Sequence, residues 1–375
     1  MDIRCESTAV SVSKEFMLEF TRKATKLMVP LSGAIELTHR CNLRCIHCYV
    51  ASGPSSLRDQ ELDTGRFLSI LDEITDAGCF ELLITGGEPL LRLDFSEIYR
   101  HAKMNGLIVT VFTNGTLITD DIVALFVQYP PYLVEISLYG ASAETYEGIT
   151  GVKGSYAQCI AGIKRLLSAG IRVKLKTMLM TLNSQELAAM EEMARHYGVS
   201  FRMDAALFPR FNGDRAPLDL RVPPFEAVER EFADNGRLES WLEFYKRGEG
   251  GSVSGDLYVC GAGTTGFHID TYGLLSPCLM VKNIAFDLSG GSFQAGWNRT
   301  IVEIGKKKAS PAYACKDCEC YSLCGACPAF FELENGAEEI HSEYLCAIGK
   351  ERNKKLEYMS RISCLEEKNE NKRED

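Results

Sequence analysis

Thr38-His39-Arg40-Cys41-Asn42-Leu43-Arg44-Cys45-Ile46-His47-Cys48-Tyr49 sets three thiols in a short loop directly after the apolar run 33–38. That run reads as a β-strand, so the thiols sit at its C-terminal end. In a barrel of parallel strands this end is the active-site face. Structural zinc takes four ligands in a closed tetrahedron, and three cysteines leave one position unfilled. A four-iron cube can use that deficit, because its fourth iron then stays open to a ligand that is not protein. The other reading of the loop is a zinc site completed by His39 or His47.

Outward from the loop, residues 33–206 alternate short apolar runs with helix-period segments, the pattern of βα units around a parallel sheet. Further strands are predicted at 80–85, 107–113, 132–138, 171–179 and 200–206. A helix with Phe67, Ile70, Leu71 and Ile74 on one face precedes the second strand and closes at Gly78. Another, over 156–168, presents Ile160, Ile163 and Leu167 before the fifth strand. The predicted fold is α/β, a partial (β/α)6 TIM-like barrel followed by a small cysteine-rich C-terminal domain. Residues 208–224, rich in Pro, Gly, Asn and Asp, read as irregular chain leaving the barrel.

Composition narrows the function. The 375 residues carry 41 basic and 51 acidic side chains, a formal charge of -10, which disfavours nucleic acid and anionic lipid as partners. No apolar run reaches the 18 or so residues of a membrane span and the N-terminus lacks signal-peptide order, so a cytoplasmic protein is expected. There, 15 cysteines are not a disulfide framework, and metal binding is the alternative. Three of them lie in 41–48 and eight in 260–346, while Cys5, Cys79, Cys159 and Cys364 are scattered and read as small buried hydrophobes.

The C-x3-C-x2-C spacing after a first strand, with an imidazole before the third cysteine, resembles the signature of the radical S-adenosylmethionine (SAM) superfamily over residues 31–230. The resemblance implies that SAM chelates the open iron through its amino and carboxylate groups. Reductive cleavage then gives a 5'-deoxyadenosyl radical that takes a hydrogen from substrate. Thr85-Gly86-Gly87-Glu88-Pro89, at the end of the second strand, resembles the family motif that holds the SAM amino group. Glycine lets backbone carbonyls approach an ammonium, and a carboxylate adds charge-assisted hydrogen bonding. By order along the chain the resemblance adds His47, Asn114, Ser137 and Lys176 as SAM contacts; Ser137 also reads as a capped strand end, and Lys176 as a solvated lysine. Where many relatives carry Asp before the glycine after this serine, this chain has Tyr139 before Gly140.

Beyond 258 the order Cys260, Gly273, Cys278, Cys315-x2-Cys318-x5-Cys324-x2-Cys327, Cys346 resembles the SPASM extension of such enzymes. That extension implies two auxiliary 4Fe-4S clusters, hence three in all. Cys315, Cys318, Cys324 and Cys346 would hold the distal one, and Cys260, Cys278 and Cys327 the proximal one. The last pair is one residue closer than in relatives, and Cys320 is extra. At the usual place of a fourth proximal ligand stand Gly266 and Phe267, leaving an open iron or closure by His268 or Cys320. A zinc ribbon over 315–346 is the competing reading.

The expected domains are an N-terminal extension (1–30), the core barrel (31–235), a linker (236–257), the auxiliary-cluster domain (258–350), and a C-terminal helix with a disordered tail (351–375). The expected function is oxidative modification of a ribosomally made peptide or protein side chain by crosslink, thioether or dehydrogenation. A small-molecule substrate such as a tetrapyrrole and a non-catalytic iron-sulfur scaffold or electron carrier are the alternatives. Leu279, where anaerobic sulfatase maturases have Asp, points away from that subgroup. A flavodoxin- or ferredoxin-type donor is expected, with leader recognition by a separate protein, since about 30 residues before the first strand are too few for a winged-helix domain. No residue stands out as the general acid or base.

Overall fold

The computed structural model describes residues 14–50, 60–247 and 255–371. Six strands follow one another in parallel: β1 (Ser32–Glu36), β2 (Glu81–Thr85), β3 (Ile108–Thr113), β4 (Leu133–Ser137), β5 (Val173–Met178) and β6 (Ser200–Asp204). Each lies within the run predicted for it or one residue beyond. Helices Thr64–Asp76, Phe95–Met104, Asp120–Gln128, Ser155–Ser168 and Leu187–His196 make the crossovers. Asp63 caps the first of these by accepting from Arg66 N at 2.8 Å. Its buried face is Phe67, Ile70, Leu71 and Ile74, as the periodicity requires.

Alternation along the strands divides two environments. On β5, Val173 and Leu175 are buried under the helices, whereas Lys174 and Lys176 reach Glu135 of β4 on the inner face. Lys176 is therefore not the solvated lysine of the sequence reading. The sheet does not close from β6 to β1. Its order is β6-β5-β4-β3-β2-β1-β7-β8-β9, where β7 is Gly266–Ile269, β8 Leu274–Ser276 and β9 Phe286–Asp287. β7 pairs in parallel with β1, and β8 and β9 add in antiparallel.

The cysteine-rich segment thus continues the barrel sheet instead of forming a free-standing module. An unpaired β1 edge would expose a row of backbone donors and acceptors, and β7 satisfies them. Phe267, Phe293 and Trp297 of this segment belong to the same buried cluster as Phe67 and Ile70. Gly33 is required by that junction, since a Cβ there would lie 2.2 Å from the Phe267 ring.

Two boundaries differ from expectation. Residues 236–246 of the expected linker lie in the helix Asn235–Lys246, N-capped by Asp234, with Trp241 under the Arg352 guanidinium at 4.8 Å. No side chain of that helix is fully buried, so it leaves no apolar stripe to count. The C-terminal helix begins at Glu343 and runs to Asn371, through most of the tail expected to be disordered. Within 208–224 there is one short turn of helix, Ala216–Leu220. Cys79 and Cys159 are buried as expected. Cys5 and residues 248–254 of the expected linker lie outside the described residues. Among the described residues no helix is long and apolar enough to cross a membrane.

Candidate active site and cluster-binding cysteines

Cys41, Cys45 and Cys48 lie on a loop without regular structure after β1. It is held by backbone bonds from Arg44 N to Thr150 O (2.8 Å) and Ile46 N to Ile149 O (3.1 Å). On the other side Arg210 donates to Ile46 O at 2.7 Å and Cys48 O at 3.2 Å. Burial, then the neighbouring Cys48 and Cys41, pushes the Cys45 thiol well up. Three thiols crowded in this way need positive charge to ionise together, which iron supplies.

A zinc site is a poor fit. Among the described residues no three Cys, His, Asp or Glu side chains converge on the position of a single ion, as tetrahedral zinc requires. His39 Nε2 lies 2.9 Å from Glu36 Oε2. The His47 ring packs on Tyr139 with centroids 4.5 Å apart, and its buried Nδ1 has no hydrogen-bond partner. Burial, then Arg210, pulls His47 down to about 4.

The glycines of the second motif answer a packing demand. Gly87 N donates to Thr38 O at 2.7 Å and Glu88 N to Arg40 O at 2.9 Å, zipping this turn to the thiol loop. A Cβ on Gly86 would meet Thr38 O at 2.4 Å, and one on Gly87 would meet Arg40 O at the same distance. Gly86 also has φ of +131°, which L side chains rarely adopt.

Glu88 differs from the sequence reading. Its fully buried carboxylate accepts from Thr113 Oγ1 (2.8 Å), Asn114 N (2.7 Å) and Leu90 N (3.1 Å), so protein donors occupy it. Burial nonetheless pushes it up to about 7. Pro89 opens the short helical turn that follows. Asn114 donates to Asn42 Oδ1 at 2.9 Å and its Nδ2 lies 3.8 Å from Cys41 Sγ, tying β3 to the thiol loop.

Ser137, at the end of β4, is in register with Lys176. Lys176 Nζ sits over the Phe112 ring at 3.0 Å and 3.5 Å from Glu135 Oε2. Burial pulls Lys176 down to about 7, against the raising charge of Glu135. Ser137 and Lys176 thus sit side by side on neighbouring strands.

Several polar residues escaped the sequence reading. Glu36, 1% exposed, accepts His39 and lies 3.5 Å from His268 Nε2 and 3.4 Å from the Tyr49 hydroxyl. Burial would raise its carboxyl, but the imidazoles of His268 and His39 hold it well below the usual range. The signal was present: Glu36 and Glu135 are acids inside otherwise apolar strands.

The family described as the Radical SAM superfamily matches residues 35–196. Mycofactocin maturase MftC of Mycobacterium tuberculosis is 31% identical over 316 residues, covering 81% of this chain and 79% of that protein. This chain belongs to the radical SAM superfamily. An AdoMet-dependent heme synthase of Methanosarcina barkeri is 29% identical over 325 residues, 79% of this chain and 90% of that one. The crystal structure of Streptococcus suis SuiB bound to S-adenosylmethionine shares the fold, with a TM-score of 0.67 at 15% identity over 92% of this chain and 83% of that chain. As a radical SAM enzyme the chain uses SAM and a 4Fe-4S cluster.

The C-terminal thiols of this radical SAM enzyme fall into two groups. Cys315, Cys318, Cys324 and Cys346 line one small cavity with Tyr321 and Lys350, and Cys320 joins them. Cys260 and Cys278 instead line an open cavity of about 630 Å³ along the N-terminal halves of β1 to β4, bounded by Ala34, Leu83, Thr110 and Glu135. Cys327 goes with this second group, since Cys278 and Cys260 add to the burial that pushes its thiol up to about 11. Gly273, with φ of +88°, makes the β7–β8 turn that brings Cys278 into place.

Neither residue suggested as a fourth proximal ligand is positioned for it. His268 Nδ1 faces Ser276 Oγ at 3.4 Å while Nε2 faces Glu36, and Cys320 lies in the other group. Ser276 Oγ in turn donates to Cys278 O at 3.1 Å. Tyr49, Glu36, His268 and Ser276 therefore form a line of polar groups from the first thiol loop to the peptide carrying Cys278.

Proposed function

We propose that this radical SAM enzyme oxidatively modifies a side chain of a ribosomally synthesised peptide or protein, by crosslink, thioether or dehydrogenation. The observation that carries the reading is the open cavity whose wall combines β1 to β4 with Cys260 and Cys278. In this reading Cys41, Cys45 and Cys48 hold the SAM-binding cluster, while Cys260, Cys278 and Cys327 hold a proximal auxiliary cluster. Cys315, Cys318, Cys324 and Cys346 hold a distal one. Bound there, SAM and the clusters supply the radical and an acceptor for the electron that a substrate radical sheds.

The chain's own groups do the rest. Gly86, Gly87, Glu88 and Pro89 fix the SAM face of the barrel against the thiol loop, and His47, Asn114, Ser137 and Lys176 surround it. Glu135, paired with Lys176, lies on the cavity wall and offers a hydrogen-bond acceptor to a polar substrate entering it. Glu36, a buried carboxylate beside two imidazoles, adds a negative charge next to the thiol loop. MftC is named a maturase, and SuiB has been solved with its precursor peptide SuiA, both in keeping with a peptide. A flavodoxin- or ferredoxin-type electron donor, a separate leader-binding protein and a cytoplasmic location complete the proposal.

Two measurements test it. After anaerobic reconstitution the parent should hold about 12 iron atoms and the triple variant Cys41→Ala, Cys45→Ala, Cys48→Ala about 8. Co-expression with a short cysteine-rich peptide encoded beside the gene should remove two hydrogens from that peptide, read by mass spectrometry. An unchanged peptide together with turnover of an iron porphyrin would move the assignment to the small-molecule reading, which the heme synthase relative favours.

A further inference from the structure

The small cavity of the distal group is lined by five thiols, whereas a four-iron cube takes four. Cys315 and Cys324 are buried, Cys346 and Cys320 are half-buried, and Cys318 is exposed. Two inner and three outer thiols therefore face four irons, and the surplus lies on the solvent side. The backbone explains why Cys320 is there. Cys318 N donates to Cys315 O at 3.3 Å, Tyr321 N to Cys318 O at 3.0 Å, and Cys324 N to Cys320 O at 3.0 Å. These successive tight turns wrap residues 315–324 around one centre and keep both Cys318 and Cys320 on its rim. Lys350 lines the same cavity and offsets part of the charge of an added thiolate.

We propose that Cys318 and Cys320 are interchangeable ligands of one outward iron of the distal cluster; this rests on the auxiliary-cluster reading above. In the exchange one iron–thiolate bond breaks and another forms. The proton of the incoming thiol passes to the departing thiolate, and no electron moves. Cys318 is the ligand most open to oxidants, so a second thiol two residues on keeps the iron when the first is lost.

The test uses the full chain, reconstituted anaerobically, as parent, Cys318→Ala, Cys320→Ala and the double variant, each checked for parent-like circular dichroism. Each single variant should keep the parent's iron, and the double variant should lose one to four iron atoms, with a changed electron paramagnetic resonance signal. A single variant that loses as much as the double one, or a double variant that matches the parent, overturns the proposal. Limited alkylation of the reconstituted parent with iodoacetamide needs no variant. The label on the distal group should total about one thiol, the surplus of five over four, divided between Cys318 and Cys320. Label confined to one of them overturns exchange. A parent holding only about 4 iron atoms removes the auxiliary clusters themselves, whereas a parent with about 12 and unequal single variants removes only this inference.

Discussion

Glu88 is a carboxylate with no route to solvent, held by three protein donors. Burial sets its folded pKa at about 7 against an ordinary value of 4.5. The unfolded chain gives up this proton more readily than the folded one, so stability falls as pH rises from about 4.5 to 7 and levels off above. Glu88→Gln removes that dependence. Relative to the parent, the variant should gain on the order of 3 kcal/mol at most across this window, read by anaerobic thermal unfolding between pH 5 and 8. Gly87→Ala tests the neighbouring contact, because its Cβ must displace the Arg40 carbonyl. A loss of about 1–3 kcal/mol is expected in the same assay, as for other overpacked sites. The two fields of thiols could be read from sequence because each is a matter of spacing along the chain. The partners of Glu88, and the pairing of Glu36 with His268, depend on register between strands far apart in sequence, which spacing does not carry.

At the scale of elements, β1 to β6 were legible because each is an apolar run separated by a helix of countable period. β7, β8 and β9 are four, three and two residues long and lie among glycines and cysteines, so they offer no period. Their pairing with β1 was invisible for that reason. Phe267, 4% exposed, is the packing anchor of this added layer, with ring centroids 4.8 Å from Phe293 and 6.2 Å from Trp297. Phe267→Ala should cost about 3–5 kcal/mol. Amide hydrogen exchange should quicken first in β8 and β9, whose ladders are two residues long, and later in β2 to β5.

For the whole molecule, the sheet stays open between β6 and β1, and the cysteine-rich segment lies along the β1 side. On the proposed auxiliary-cluster reading, metal held by that segment should contribute to folding, since the thiols it would draw together sit on chain that also completes the sheet. Removing iron with a chelator should lower the unfolding temperature of the parent. It should raise hydrogen exchange across residues 255–346 more than in the helices between β2 and β5. Equal exchange everywhere would mean that the thiols are bystanders to the fold.

β1 is five residues long, yet it carries the first thiol loop at one end and β7 along its edge. The two sulfur-rich regions are consequently braced against one short strut of backbone hydrogen bonds. Electron tunnelling slows steeply with distance, so a strut of this kind works as a fixed gauge. The timing of charge movement across the active site would stay constant while the substrate, and not the scaffold, does the moving.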